Sequence, residues 1–386
     1  GWFKDEELAT ELGSTRVVRA GFPHWVPSAV ERLRAAGKDV RRGKGASPGM
    51  GAALRVARVL RNQLAIPDER ALWAAAAARR ARALMKEQRY DVVWTSSFPY
   101  SAHLAGLWLR RRTGVPWVAE LRDPWLDNPF RELPAWRRRI DARLEAEVLS
   151  AADAVVVVSP GMRAQITSRC AREKVHVISN GFDPEDFAGH VTEPARPVAT
   201  LVYAGTFDAA VHPPDPILQA LAVVLRRRPS ARDDAVLRIV GGTDLESAAR
   251  IRAWIALHRA GKMIEELGFV SHAQAVHHMR SADLLVLSVA EHAPWMLTSK
   301  VFEYLASERP ILAAVPSGDC QELLAKLGGA AILPPYDSEA LANVICAVAE
   351  RRFSVEKAAR PQEALAGYSH PSLVAALAAV FERVSA

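Results

Sequence analysis

At 386 residues the chain is too long for one ordinary hydrophobic core and points to two or three domains. Its 50% apolar content excludes disorder, 22 glycines without a period exclude a collagen-like fibre, and three cysteines exclude a disulfide scaffold. The net charge of +7 is unevenly placed, because residues 1–197 carry 32 Lys+Arg against 23 Asp+Glu (+9) and residues 198–386 carry 18 against 20 (−2).

In chain order, the opening GWFKDEELATELG lacks the layout of a signal peptide. No apolar run approaches the ~18 residues of a membrane span, so a cytoplasmic protein is expected. Residues 38–51, KDVRRGKGASPGMG, read as a solvated loop or as a contact for an acceptor or phospholipid. Residues 68–87 read as a long helix opened by an Asp68 cap after Pro67. Three apolar runs follow, at 90–97, 115–123 and 152–159, each leading into a helical pattern. The polar, proline-bearing stretch 185–199 separates them from a second set at 199–205, 235–242, 263–270, 282–289 and 309–315. Continuous apolarity implies strands buried on both faces, hence parallel strands between helices and an α/β fold in both halves. The domains expected are 1–192, 193–360 and a C-terminal helix over 361–386 that packs back toward the first domain. Cys170, Cys320 and Cys346 form no CxxC and read as reduced, buried small hydrophobes.

In such sheets ligands bind where strands end and helix amides face a crevice. Tyr203–Phe207 (YAGTF) places Gly205 and Thr206 at a strand end, and Gly241-Gly242-Thr243 repeats the arrangement. Either pair is a ligand contact or only a turn. Neither GxGxxG nor GxxxxGK[ST] occurs, against a dinucleotide cofactor or a P-loop nucleotide. The densest set is Thr298-Ser299-Lys300 with Glu303 one turn later. Hydroxyls, a cation and helix amides suit a diphosphate, and the carboxylate suits two vicinal ribose hydroxyls; the plain alternative is a surface helix with a Lys300–Glu303 ion pair. Glu120–Trp125 (ELRDPW) brings Arg122 and Asp123 to another strand end, as an acceptor or sugar contact or as an internal pair. His103 in SSFPYSAHLAG is either a cleft-facing residue or a satisfied core histidine.

The segment SKVFEYLASERPILA resembles the donor-site helix of family 4 glycosyltransferases of the GT-B fold. SSFPYSAHLAGLWLRRRTGVPWVAELRDPW, ADAVVVVS, VISNGFDPEDF, YAGTF and LGFVSHAQA agree with that family in order and position, from about residue 90 to 350. The RDPW segment is similar to an exopolysaccharide and cell-envelope subfamily. The resemblance implies two doubly wound Rossmann-like domains facing a central cleft. It implies a retaining transfer from a nucleoside diphosphate sugar to a glycan or lipid-linked hydroxyl acceptor, with the leaving phosphate itself assisting deprotonation.

Carried over by position, Glu303 would bind the ribose, while Ser299, Lys300 and the Thr298 helix start neighbour the diphosphate opposite Gly205, Thr206 and Gly241. Backbone at Phe269 and Val270 would hold the base, and Arg122, Asp123 and His103 would face sugar or acceptor. No metal is expected, since an Asp-x-Asp triplet is absent. Two positions depart from the family: Trp295 stands where a first Glu is common, with Glu291 out of register, and only His212 stands where relatives carry an Arg/Lys pair. Relatives also begin with a strand and glycine-rich loop ahead of a DEEL-like segment, so the first domain is expected to lack its first strand. An epimerase of the same fold and a non-catalytic nucleotide-sugar-binding protein stay open as alternatives. The basic first half suits an anionic membrane face, and without zinc spacing or RNA-binding signatures nucleic acid is not an expected partner.

Overall fold

A computed structural model describes residues 15–21, 65–131, 133–189, 198–352 and 362–386. The expected loop at 38–51 and the opening DEEL segment lie outside the described residues. The chain divides into two compact units.

The first unit comprises described residues of 15–158, 162–177 and 378–386. Helix α1 (Ala71–Glu87) leads to β1 (Val93–Ser97), α2 (Ser101–Thr113), β2 (Trp117–Leu121), α3 (Ala135–Ala151), β3 (Ala154–Val157), α4 (Pro160–Ile166) and β4 (Val175–Val177). The four strands are parallel in the order β1-β2-β3-β4. β2 and β3 are wholly buried, Glu120 of β2 included, as strands covered on both faces are. Trp117, Val118, Val155 and Val156, and Val148 and Leu149 of α3, are all buried. The helix expected from Asp68 begins at Ala71 instead, with Arg70 at the cap. The Asp68 carboxylate is engaged elsewhere: it accepts from Arg70 N (2.8 Å), Ser101 N (2.9 Å) and Ser101 Oγ (2.8 Å), tying the approach to α1 onto the start of α2.

The second unit comprises 159–161 and the described residues of 178–377. It runs β5 (Ala199–Ala204), α5 (Asp215–Arg227), α6 (Ala231–Asp234), β6 (Ala235–Val240), α7 (Leu245–His258), β7 (Ile264–Gly268), α8 (His272–Arg280), β8 (Leu284–Ser288), α9 (Ser299–Ala306), β9 (Ile311–Ala314), α10 (Asp319–Leu327), β10 (Ala330–Leu333) and α11 (Ser338–Ala349). All six strands are parallel, in the order β10-β9-β8-β5-β6-β7. The order reverses at β5, so the loops leaving β5 and β8 part to opposite sides and open a crevice at the strands' carboxyl ends. Leu201, Tyr203, Ile217, Leu221, Leu237, Leu284 and Ile345 are among the residues of the core.

The single helix expected over 361–386 is two, α12 (Gln362–Ala366) and α13 (His370–Ser385). The backbone pairs Phe182 N with Tyr368 O (3.2 Å) and His370 N with Phe182 O (2.8 Å) between and beside them. Residues 378–386 belong to the first unit, where Phe381 meets the Trp94 ring at 6.1 Å. All three cysteines are free, but only Cys320 is buried; Cys170 and Cys346 are half-buried. No helix among the described residues is long and apolar enough to cross a membrane.

Candidate functional site

In the second unit, the backbone knits the ends of three strands together. Gly205 N donates to Val240 O (2.8 Å), Phe207 N to Gly242 O (3.0 Å) and Gly241 N to Gly268 O (2.8 Å). Gly205 and Gly241 have φ of +133° and +134°, and an added Cβ would lie 2.2 Å from Lys300 Cε and 2.1 Å from Gly205 O respectively. Glycine is therefore required at both, by backbone conformation and by close approach. The Tyr304 hydroxyl accepts from Ala204 N (2.8 Å) and donates to Val286 O (3.2 Å), which anchors α9 beside the end of β5.

These elements enclose a cavity of about 610 Å³. Of the donor-site residues expected from the sequence, Gly205, Thr206, Gly241, Phe269, Val270, Ser299, Lys300 and Glu303 line it together. Thr298 does not; it is the cap residue of α9 and makes no side-chain capping bond. The Phe269 ring is 66% exposed and lies over Gly242, where a Cβ would come within 2.8 Å of its Cζ.

Burial dominates the electrostatics. It pulls the Lys300 ammonium down to about 8, against the opposing pull of Glu303. It pushes the Glu303 carboxyl up, while His272 and then Lys300 draw it back and Asp186 adds to the rise. The expected alternative of a Lys300–Glu303 ion pair is not formed within 4 Å among the described residues. Lys300 Nζ instead sits 5.7 Å from the Tyr203 ring centre. His212 is pushed down to about 3 by burial and by Lys300. Its Nδ1 lies 2.8 Å from Ser288 O, and because a carbonyl only accepts, that nitrogen carries the proton of a neutral ring. It brings no positive charge to replace the family's basic pair.

Sequence reasoning missed His272, which lines the cavity from the first turn of α8, and Asp186, whose Oδ2 lies 2.7 Å from His272 Nε2. One signal was available. Ser271 and Gln274 form a reciprocal capping box that marks a helix start directly after the β7 end. Trp295 and Glu291 stay outside the cavity lining; Trp295 is 6% exposed and its carbonyl accepts from Ser159 Oγ at 2.7 Å, a packing role.

In the first unit, Arg122 and Asp123 follow the end of β2, whose Leu121 is in register with Ser97 of β1. Arg122 is exposed and its Nη1 lies 3.8 Å from Glu120 Oε1, while burial pushes the Asp123 carboxyl up and Arg122 partly draws it back. The expectation of a cleft-facing His103 is corrected. The residue is 0% exposed, its Nδ1 lies 2.9 Å from Thr95 Oγ1, and burial pushes it down to about 3, so it is a buried, neutral residue. Among the described residues no group of three or more His, Cys, Asp or Glu is arranged to hold a metal ion.

The model for glycosyltransferase family 4 matches residues 28–186, and that for glycosyl transferases group 1 matches residues 198–351. No curated protein matches the chain. Among solved structures, sucrose-phosphate synthase from Thermosynechococcus elongatus superposes with a TM-score of 0.64 at 18% identity, over 82% of this chain and 79% of that one. Anabaena HepE in complex with UDP gives 0.63 at 17%, over 81% and 82%. A glycosyltransferase from Rickettsia africae gives 0.61 at 16%, over 81% of each. HepE has also been solved with UDP-glucose.

Proposed function

The chain belongs to the glycosyltransferases of the GT-B fold, with a family 4 half followed by a group 1 half, and from that premise we propose a nucleoside diphosphate sugar as its donor. The observation that carries this reading is the convergence of Gly205, Gly241, Ser299, Lys300 and Glu303 on one cavity at the reversal of strand order. Helix amides and the Lys300 cation suit the diphosphate, which gains charge as it leaves. Glu303 suits the ribose hydroxyls. HepE, solved with UDP and with UDP-glucose, adds support for a uridine donor.

The transfer we propose is retaining and independent of metal, with a glycan or lipid-linked alcohol as acceptor. The acceptor oxygen bonds to the anomeric carbon as that carbon's bond to the diphosphate breaks. The hydroxyl proton passes to the leaving phosphate, giving a glycoside and a nucleoside diphosphate, so no enzymic base is needed. Arg122 and Asp123 are assigned to the acceptor side, in the first unit, and the donor site to the second, which takes up the chain from residue 178.

A thermal-shift screen of nucleoside diphosphates and their sugars tests the donor class, because a ligand of the native state raises the melting temperature. Glu303→Ala is expected to weaken UDP binding about 10- to 100-fold, the cost of a charged hydrogen bond. Full retention of UDP affinity and of sugar transfer in that variant would remove Glu303 from the site.

A further inference from the structure

Asp186 lies in the 3-10 turn Glu185–Phe187, in the stretch of chain that leads from the first sheet to the second. This turn packs on α8, where Arg280 Nη1 also donates to Ala188 O at 2.9 Å. A carboxylate oxygen can only accept, so the 2.7 Å contact places a proton on His272 Nε2 and fixes the ring's orientation. The ring so held is part of the cavity wall that also contains Glu303 and Lys300. Among the described residues Glu303 is the one carboxylate in that wall, and burial opposes its charge. Of the groups that favour the charge, His272 acts more strongly than Lys300.

We propose that His272, oriented by Asp186, is a positioning residue that keeps Glu303 an ionised double acceptor for the vicinal hydroxyls of a nucleoside diphosphate's ribose. The inference rests on the donor-site reading above and extends it to residues outside the motif helix. The charged and titratable groups that act on Glu303 are His272 on α8, Lys300 on α9 and Asp186 on the turn, with Tyr203 of β5 lying 5.7 Å from Lys300 Nζ. His277, His278 and Arg280 lie further along α8 itself. A neutral Glu303 is a poorer partner for two donors, so UDP affinity is present above the carboxyl's pKa and lost as pH falls through it. Removing His272 moves that loss to higher pH.

The test is calorimetric titration of the full chain with UDP and with 2′,3′-dideoxy-UDP between about pH 5 and pH 8. The proteins are the wild type, His272→Gln and His272→Lys. For UDP, His272→Gln is expected to bind about tenfold weaker than wild type at the acid end. The gap closes toward the alkaline end, and His272→Lys restores the acid limb by placing a cation at that position. For the dideoxy analogue, which lacks the hydroxyls, the wild type and His272→Gln should not differ. A wild-type profile in His272→Gln, an equal loss for both ligands, or a lysine variant no better than glutamine would each overturn the proposal while leaving the donor site standing. Failure of the wild type to bind UDP at any pH would overturn the uridine donor reading and this inference with it.

Discussion

Lys300 shows how one buried side chain turns packing into chemistry. Its stem crosses Gly205 and its ammonium stays above the Tyr203 ring, in surroundings that pull its pKa down to about 8. A lowered lysine keeps its charge below that value and loses it as pH rises through it. UDP affinity is therefore expected to fall between about pH 7 and pH 9, by about 10- to 100-fold in all, while Lys300→Met binds weakly and evenly across the range; calorimetry at several pH values checks this. The two glycines beside it should fail differently. Both hold φ near +133°, where an L side chain is strained by about 1–3 kcal/mol. In Gly241→Ala the new Cβ also meets backbone at Gly205 O, so the loss should appear in urea denaturation. In Gly205→Ala it meets the flexible end of Lys300, so nucleotide affinity should suffer beyond the stability loss. The residues themselves were legible in the sequence as glycines at strand ends and a helix start rich in ligand groups. His272 was not, because a histidine's partner, here Asp186 lying 86 positions away, is set by the fold.

Among elements, strand ends were easier to read than helix starts or short edge strands. β2, β3, β5 and β8 are buried along their whole length, and the apolar runs that form them cannot satisfy any exposed site. β4 and β10, of three and four residues, sit at sheet edges and carry too little pattern to stand out. The segment after β2 is held by contacts that no periodicity announces. Arg131 donates to Trp125 O (3.0 Å), Pro67 O (3.0 Å) and Asp141 (2.9 Å), and its guanidinium lies 4.8 Å from the Tyr100 ring centre. Asp141 is 0% exposed, so its charge needs a partner. Arg131→Ala is expected to cost about 3 kcal/mol in chemical denaturation, toward the low end for a broken buried pair because the neighbouring Arg137 offsets part of the charge. Arg131→Lys should recover only part, since a single ammonium cannot reach three acceptors in fork geometry.

For the whole molecule, charge placement carries the clearest consequence. The first 197 residues hold a surplus of +9, although several of their arginines are matched internally, as Arg110 is by Asp153 and Arg169 by Glu145. Each such pair uses one charge of either sign, so the net surplus of +9 stands, and it suits an anionic acceptor surface. Binding to vesicles containing anionic lipid is expected at low salt and should weaken steeply as ionic strength rises, whereas neutral vesicles should retain little protein; co-sedimentation measures both. The sequence by itself determined the α/β class, the two halves, the glycosyltransferase kinship and most of the residues that line the cavity at the strand ends, because burial on two faces and glycines and polar groups where strands end leave local patterns. The tertiary structure alone decided that His103 is core, that Trp295 is packing, that Asp68 ties two helices, and that Asp186 meets His272, which lines the same cavity as Glu303. Burial and hydrogen-bond partnership depend on which distant segments meet, and no window of sequence contains both partners.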